Sequence, residues 1–367
     1  MKKRLFSLLL VSALVFTLSG CGEKSLLRES DPVTLNFWHV YGEQSGSPMD
    51  LLVQEFNRTV GQEKGVRVQV TNLSSASKIG GFLKEAQKGG RDAPEMPDLF
   101  TCHISDATAL GSDNLVDWNA RFTAEELSNF VPGFLADGMT EDGTLLLFPI
   151  SKSTQLLMCN GSGFARSLAQ GHVVVSDLYS NTQVMTGDVL SGLGSSAAIL
   201  YYNDTVTYRD GTQEPMDLHV LPMPKTAGAG ALMTQAGVGL CAYKTTDQKA
   251  EAAALFVRWL TESKRNLDFV AQTGYMPVRN GAFDAIENYD KFPEPTESYR
   301  QLYAALKIMQ ESYTPLSEPR FEGYYGKVSQ LYDGLRKMQQ ELPARAAAGE
   351  SIDTLAEETW ALLCAIH

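Results

Sequence analysis

Strand and helix signals alternate over the first part of the chain after its N-terminal segment, and this alternation constrains the fold more than any other feature. Residues VTLNFWHVYG have the β-branched and aromatic content of a strand that Gly42 stops. The next helix is predicted to begin at Ser47, which can cap it, and to end at Gly61. A second strand (VRVQVTNL), a second helix starting near Ser75–Ser77 and a third strand (PDLFTC) continue the pattern. Such strands pair in parallel through right-handed crossovers, so we predict an α/β lobe.

A second lobe is predicted to begin where LLLFPISKSTQLLMCN leaves the first, because the chain is long for one hydrophobic core. TGDVLSGLGSSAAILYY is predicted to form a helical turn, a Gly-Ser loop and an apolar strand ending at Tyr201–Tyr202. ALMTQAGVGLCAY is predicted to be a Gly-interrupted strand, and TTDQKAEAAALFVRWLTES a helix capped by Thr245 or Thr246, followed by a mainly helical C-terminal part. The predicted first lobe comprises 32–149 plus 235–297, and the second comprises 150–234 plus 298–367.

The N-terminus has the layout of a secretory signal. A basic start (KKR) precedes an apolar run that is shorter than the ~20 residues of a membrane-spanning helix. The tetrad LSGC, which ends at Cys21, resembles the bacterial lipobox, in which cleavage leaves a lipid-carrying cysteine at the new terminus. We expect a signal peptide at 1–20, lipid on Cys21, a polar tether at 21–31 and attachment to the extracytoplasmic face of the cell membrane. An ordinary signal peptide with a coincidental cysteine is the alternative.

Charge and cysteine spacing exclude several classes of partner. Without the signal, 28 Lys and Arg stand against 43 Asp and Glu, a formal charge of −15 (28 − 43), which argues against nucleic acid because phosphates demand basic patches. The remaining cysteines are Cys102, Cys159, Cys241 and Cys364. They form no C-x-x-C pair and have no nearby histidine set, so we expect no metal, redox site or cofactor. Two disulfides are conceivable, but each cysteine lies in an apolar segment, which favours buried free thiols.

A set of phrases occurs along the chain in one order. They are the lipobox, VTLNFWHVYG with a helix ending EFN, PDLF, LVDW, LLLFPISKSTQLLMCN, TGDVLSGLGSS, VLPMPK, TQAGVGL, AAALFVRWLTES and GYMPV. Together they resemble the carbohydrate-type extracellular solute-binding lipoproteins of bacterial ABC importers. The resemblance implies a two-lobed, periplasmic-binding-protein-like (type II) α/β fold with a hinge. It also implies an oligosaccharide or other small solute held between the lobes, delivery to ABC permease subunits, a monomer and no catalysis.

The resemblance, carried over by position, implies a set of candidate ligand-binding residues. Sugar sites pair flat aromatic rings with polar side chains that hydrogen-bond the hydroxyls, and ligands of parallel sheets bind beyond the carboxyl ends of the strands. The candidates are Trp38 and Tyr41 after the first strand, His103 and Asp106 after the third, Tyr201, Tyr324 and Tyr325 on the second lobe, and Gln235 and Tyr275 near the hinge. For each aromatic residue, core or surface packing is the alternative. Trp259 and Trp360 lie in amphipathic helices and are assigned to the core, and the hinge is expected near Phe148–Ser153 and Gly237–Tyr243.

Two other function classes fit parts of the sequence. SASK at 75–78, SDN at 112–114 and KTA at 225–227 echo the S-x-x-K, S-D-N and K-T-G elements of penicillin-interacting serine enzymes, although the third is imperfect. Ser75 follows a predicted strand in an alternating β/α region, so it fits a helix cap better than a nucleophile. A non-transporting sensor or scaffold lipoprotein on the same fold is the other alternative.

The predicted second lobe is shortened after Asn160. In the family, the phrase ending at this asparagine normally leads into a long segment, often with a proline, threonine and tryptophan cluster, whereas here the family pattern resumes at Thr186–Asp188. No tryptophan lies between Trp118 and Trp259. We therefore expect exposed apolar surface and weak or absent sugar binding, because one wall of the cleft would be missing.

Overall fold

The computed structural model describes residues 25–42, 47–72, 76–160, 179–225, 230–286, 288–321 and 324–350. The strands of this part are β1 (Val33–His39), β2 (Val66–Asn72), β3 (Leu99–Cys102), β4 (Gln155–Asn160), β5 (Ser191–Ser195), β6 (Thr205–Thr207), β7 (Gln213–Pro215), β8 (Leu218–Leu221), β9 (Leu232–Gln235), β10 (Gly239–Ala242) and β11 (Thr314–Ser317). The α-helices are α1 (Pro48–Arg58), α2 (Val60–Lys64), α3 (Ala76–Lys88), α4 (Ile104–Leu110), α5 (Ala124–Ser128), α6 (Pro132–Asp137), α7 (Ser180–Met185), α8 (Asp247–Leu260), α9 (Ser263–Ala271), α10 (Ala282–Ile286), α11 (Thr296–Ser312) and α12 (Tyr324–Ala347). Cys21, Ser75, Trp360, Cys364 and the segment 161–178 lie outside the described residues.

The first sheet has the strand order β10-β3-β1-β2. As predicted, β1 pairs in parallel with both β2 and β3, and β10 is added antiparallel to β3. Ser47 caps α1 as predicted, since its hydroxyl accepts from the Asp50 amide. Behind β1, the ring of Phe256 on α8 meets that of Phe56 edge-on at 5.0 Å between centroids, and Trp259 is buried beside them, as predicted. These aromatic contacts join helices from distant parts of the sequence into one core.

The predicted end of the first helix is wrong. The helix α1 stops at Arg58, and the short helix α2 then runs through Gly61. Gly61 is buried where a Cβ would lie 2.6 Å from the Val66 carbonyl oxygen, so it serves close packing rather than termination. The stop is Gly65, whose φ of 68° is left-handed and whose Cβ would lie 2.1 Å from the Arg28 carbonyl oxygen.

The second sheet is antiparallel, with the order β5-β4-β8. Two predictions are wrong here. SGLGS, predicted to be a loop, forms strand β5, and SAAILY, predicted to be a strand, forms a 3₁₀ helix (Ser196–Tyr201). A close approach requires glycine at position 192 of this strand, because a Cβ there would lie 2.6 Å from the Ser180 hydroxyl oxygen on α7. The Ser195 hydroxyl, which accepts from the Ala197 amide, begins the 3₁₀ helix.

Three segments lie together near the start of β4, and we call them the crossing segments: 148–154, which leads into β4, 235–240, which leads from β9 into β10, and 314–320, which holds β11. Isolated bridges pair Phe148 with Leu240 and Ser153 with Ala236, so the first two crossing segments lie side by side. Strand β11 in the third pairs in parallel with β9 just before the second. The predicted Gly-interrupted strand is therefore two strands of different sheets, β9 and β10, separated at Gly237 with φ of 106°.

Two of the cysteines face each other inside the first sheet. Cys102 on β3 and Cys241 on β10 are buried free thiols with their Sγ atoms 3.7 Å apart. The prediction of free thiols is confirmed for this pair. Burial raises the pKa of the Cys102 thiol well above its ordinary value, so the thiol is protonated at neutral pH. The Cys159 side chain and Cys364 lie outside the described residues.

Candidate functional site

A row of three buried polar side chains lies where the crossing segments meet the second sheet; we call it the polar row. Thr154 is opposite Gln235, because the adjacent residues Ser153 and Ala236 exchange both backbone hydrogen bonds. On its other side Thr154 is opposite Ser196, whose amide donates to the Thr154 carbonyl at 2.8 Å. Thr154 and Ser196 continue the antiparallel register of β4 and β5 by one pair beyond Gln155 and Ser195. Residues opposite each other in antiparallel strands project from the same face, so we infer that the three side chains are neighbours.

The polar row lacks internal hydrogen-bond partners. Thr154, Ser196 and Gln235 are only 1%, 0% and 3% exposed. Within the described ranges, Thr154 Oγ1, Ser196 Oγ and Gln235 Oε1 find nothing to hydrogen-bond. Each such buried atom costs about 1–3 kcal/mol, so three in one row is an expensive arrangement for a purely structural surface. Two hydroxyls that donate and accept, beside an amide oxygen that accepts, match a neutral polyhydroxylated molecule.

The helix α6 lies over this row. A Cβ on Gly133 would lie 3.8 Å from both amide atoms of Gln235 and 3.3 Å from Pro315 of the third crossing segment. At the other end of α6, Asp137 forms an ion pair with Lys152, which is 1% exposed. Arg320 donates to the Ala136 and Asp137 carbonyls at 3.2 and 3.1 Å. One short helix thus contacts all three crossing segments at the junction of the lobes.

Three of the predicted site residues lie around this junction. Gln235 is part of the polar row itself. The Tyr41 hydroxyl is 3.0 Å from Ser151 Oγ, and its ring meets that of Tyr275 edge-on at 6.0 Å between centroids. Tyr275 also borders Gly237, where a Cβ would lie 3.8 Å from the tyrosine ring. Burial raises the pKa of Tyr41, so this phenol stays protonated.

His103 and Asp106 belong to a group of ionisable side chains next to α6. Burial lowers the pKa of His103, while Asp106 and Asp137 raise it and Lys152 lowers it further, which places these side chains within electrostatic reach of one another. His103 Nδ1 is 3.8 Å from Glu318 Oε2 in the third crossing segment. Burial raises the pKa of Asp106, whose carboxylate lies against Gly80 of α3, where a Cβ would be 2.3 Å from its oxygen.

The other predicted residues lie farther out. Trp38 packs edge-on against Phe82, with ring centroids 6.5 Å apart. Tyr201 is 51% exposed at the end of its 3₁₀ helix. Tyr324 begins α12 with its ring against Phe321, and burial together with Glu318 raises its pKa. The side chain of Tyr325 lies outside the described residues.

His39, at the end of β1, has a structural role. It is completely buried, with Nδ1 accepting from the Tyr41 amide at 3.1 Å and Nε2 lying 2.8 Å from Asp50 Oδ1. An accepting Nδ1 leaves the proton on Nε2, so the ring is neutral and donates to Asp50.

The described parts of the enzyme-like phrases lie on different elements. Lys78 is exposed on α3, and Ser112–Asn114 form a 3₁₀ turn at the surface. Ser75 and Thr226 lie outside the described residues.

Sequence reasoning missed most of the junction. Thr154, Ser196, Lys152 and Asp137 are separate, ordinary polar residues along the chain. One feature of the sequence indicates the junction: the polar run SKST at 151–154 interrupts the apolar segment LLLFPISKSTQLLMCN. Buried polar side chains require hydrogen-bond partners, so such a run inside an apolar segment points to a polar site.

Comparison with known proteins agrees with this architecture. Residues 164–294, about a third of the chain, match the model of the family described as bacterial extracellular solute-binding protein. No curated protein shows significant sequence similarity to the chain.

Solved structures match over nearly the whole length. The cyclic alpha-maltosyl-1,6-maltose binding protein from Arthrobacter globiformis is 14% identical, with a TM-score of 0.62 over 92% of this chain and 99% of that one. UgpB from Mycobacterium tuberculosis, in complex with glycerophosphocholine, is 15% identical, with a TM-score of 0.63 over 91% and 99%. The sugar-binding protein MalE from Xanthomonas citri is 13% identical, with a TM-score of 0.60 over 89% and 95%.

Among the residues described, no helix has the length and apolar character needed to cross a lipid bilayer.

The likeness to these solved structures establishes the fold. The chain therefore has the two-lobed α/β fold of solute-binding proteins and carries, over residues 164–294, the sequence pattern of the bacterial extracellular solute-binding protein family.

Proposed function

We propose that this protein captures a neutral carbohydrate between its lobes and delivers it to an ABC permease. The polar row is the observation that carries this proposal. Its three atoms are buried, neutral and without partners in the described structure, and the hydroxyls of a sugar would satisfy them. The structural neighbours named for maltosyl-maltose and sugar binding support the same ligand class.

The proposed site extends outward from the polar row. Tyr41 and Tyr275 at the junction would support or flank the sugar, while His103 and Asp106 would hydrogen-bond hydroxyls on the side of the first lobe. A longer ligand would also contact four aromatic residues farther out when the lobes move: Trp38, Tyr201, Tyr324 and Tyr325. Flat rings stack on the C–H faces of sugars, which is the physical reason for including these aromatic residues.

Ligand entry requires movement, because the polar row is covered by α6. We propose that the Gly133 end of α6 moves away from Gln235, while Asp137 at the other end stays paired with Lys152. We propose that the lobes, at 32–149 plus 235–297 and 150–234 plus 298–367, rotate about Phe148–Ser153 and Gly237–Tyr243. Those stretches hold the bridges between crossing segments, where backbone rotation is absorbed most easily.

We propose that lipid on Cys21 holds the protein on the extracytoplasmic face of the cell membrane, near its permease. The support is the lipobox and the polar tether that follows it. We also propose that binding is weak, because only 25 residues separate Asn160 from Thr186, where the later family pattern resumes. A shortened lobe would supply fewer contacts around the sugar.

Calorimetric titration with neutral oligosaccharides tests this function. The panel would contain maltose, cyclic and longer α-glucosides, and glycerophosphocholine as a non-sugar comparison. We expect heat from at least one sugar with a dissociation constant above ~1 µM, a free energy weaker than about −8 kcal/mol. A dissociation constant below ~1 µM would contradict the shortened cleft. The absence of binding heat with every sugar of the panel would contradict carbohydrate capture.

A further inference from the structure

A buried ion pair stands at one end of the polar row. Lys152 lies two residues before Thr154 on the same crossing segment, so their side chains project from the same face. Asp137 and Gly133 lie four residues apart on α6, so they too share a face. Gly133 lies against Gln235, and Asp137 binds Lys152. The ion pair and the polar row therefore form one continuous surface beneath α6.

The ion pair makes this surface electrically neutral. Lys152 is 1% exposed and the Asp137 side chain 11% exposed, so both charges are largely removed from water. Arg320 fixes the end of α6 through the Ala136, Asp137 and Met139 carbonyls, which holds the carboxylate in place. The nearby His103 is kept neutral by burial, and Glu318 lies beyond it at the rim. Asp137 is thus the carboxylate in contact with the buried ammonium.

We propose that Asp137 is a specificity-determining residue that restricts the site to neutral ligands by neutralising Lys152. This inference rests on the proposed function, because it places the ligand on the polar row. A buried ammonium without its carboxylate attracts an oxyanion strongly, since the low dielectric of the site strengthens the interaction. With the carboxylate present, an anionic ligand would meet a like charge and would lose its hydration without compensation.

The test uses Asp137→Asn, which keeps the shape of the side chain and removes its charge, with inorganic phosphate as the anionic probe. Thermal unfolding is followed with and without phosphate at about 10 mM, since a ligand of the native state raises the melting temperature. We expect no phosphate-specific shift for the wild type, relative to chloride at equal ionic strength, and a clear upward shift for Asp137→Asn. In calorimetry the variant should bind phosphate at least about tenfold more tightly than the wild type.

The matched control is the double variant Asp137→Asn with Lys152→Met, which removes both charges. It should lose the phosphate response of Asp137→Asn. A folded Asp137→Asn protein that ignores phosphate, or a double variant that still responds, would overturn the proposal. Should Asp137→Asn fail to fold, the wild type still decides, because a phosphate-induced shift of the wild type would contradict the assigned role. The phosphate measurements need no sugar, so their failure is distinguishable from a failure of wild-type protein to bind maltose.

Discussion

Asn57 hydrogen-bonds both backbone polar groups of Val68. Its Nδ2 donates to the Val68 carbonyl and its Oδ1 accepts from the Val68 amide, each at 2.8 Å. Strand β2 is at the edge of the first sheet, so these backbone groups have no neighbouring strand on that side. The asparagine of the EFN phrase thus fastens α1 to the sheet edge.

Replacing Asn57 with Ala should lower the free energy of unfolding by about 2 kcal/mol, because two hydrogen bonds are lost at a half-buried edge. Chemical denaturation of the purified protein measures this. The exposed neighbour Gln54→Ala on the same helix should change stability by no more than about 0.5 kcal/mol. Equal changes in the free energy of unfolding for the two substitutions would show that the hydrogen bonds from Asn57 to Val68 do not stabilise the fold.

Stability should fall as the pH drops below about 6.5, the unfolded pKa of histidine. Burial lowers the pKa of His39 in the folded protein, outweighing the opposite effect of Asp50, so the unfolded chain binds the proton more readily. The contribution of His39 to the free energy of unfolding is complete above the pKa of histidine in the unfolded chain. It is lost as the pH falls toward the pKa of His39 in the folded protein, by at most about 1.4 kcal/mol per pH unit. His103 shifts in the same direction, whereas the raised pKa of Asp106 acts in the opposite sense at lower pH.

Melting temperatures of the wild type and His39→Gln between neutral and mildly acidic pH test this assignment. The variant, whose amide can still donate to Asp50, should show a shallower loss of stability on acidification. Parallel curves would mean that His39 does not cause the pH dependence.

Lipid attachment is expected to depend on Cys21. In a bacterial host that processes lipoproteins, Cys21→Ser should move the protein from the membrane fraction to the soluble fraction, and metabolic labelling with a fatty acid should be lost. Cys102→Ser is a suitable control, because its thiol is buried in the first sheet. Membrane retention of Cys21→Ser after removal of its signal would refute the anchor.

Ligand is expected to compact the protein by closing the lobes about the crossing segments. Small-angle scattering should show a smaller radius of gyration at saturating sugar than without it. A radius that does not change at saturation would argue against hinge closure, even where calorimetry shows binding.

Local patterns in the sequence were sufficient for much of the first sheet and the helices α1 and α8. The β1, β2 and β3 strands, the Ser47 cap and the helix α8 with its Thr246 cap follow from local residue preferences. The junction does not, because Thr154, Ser196 and Gln235 become neighbours only through the register of three separate segments. The strand β5 was missed for a related reason: Gly192 is required by the approach of Ser180, a tertiary contact that overrides the low strand preference of glycine.

The central claim is that the polar row hydrogen-bonds the ligand, and a comparison of two isosteric substitutions tests it most directly. Thr154 and Thr101 are both buried threonines whose hydroxyls have no partner in the described structure, but Thr101 lies in β3 of the first sheet. Changing either to Val removes a buried unpaired hydroxyl and should stabilise the fold by about 1 kcal/mol. Calorimetry with the best sugar of the panel should show affinity reduced about five- to tenfold by Thr154→Val and unchanged by Thr101→Val. Unchanged affinity in Thr154→Val, or an equal loss in both variants, would contradict a ligand held on the polar row.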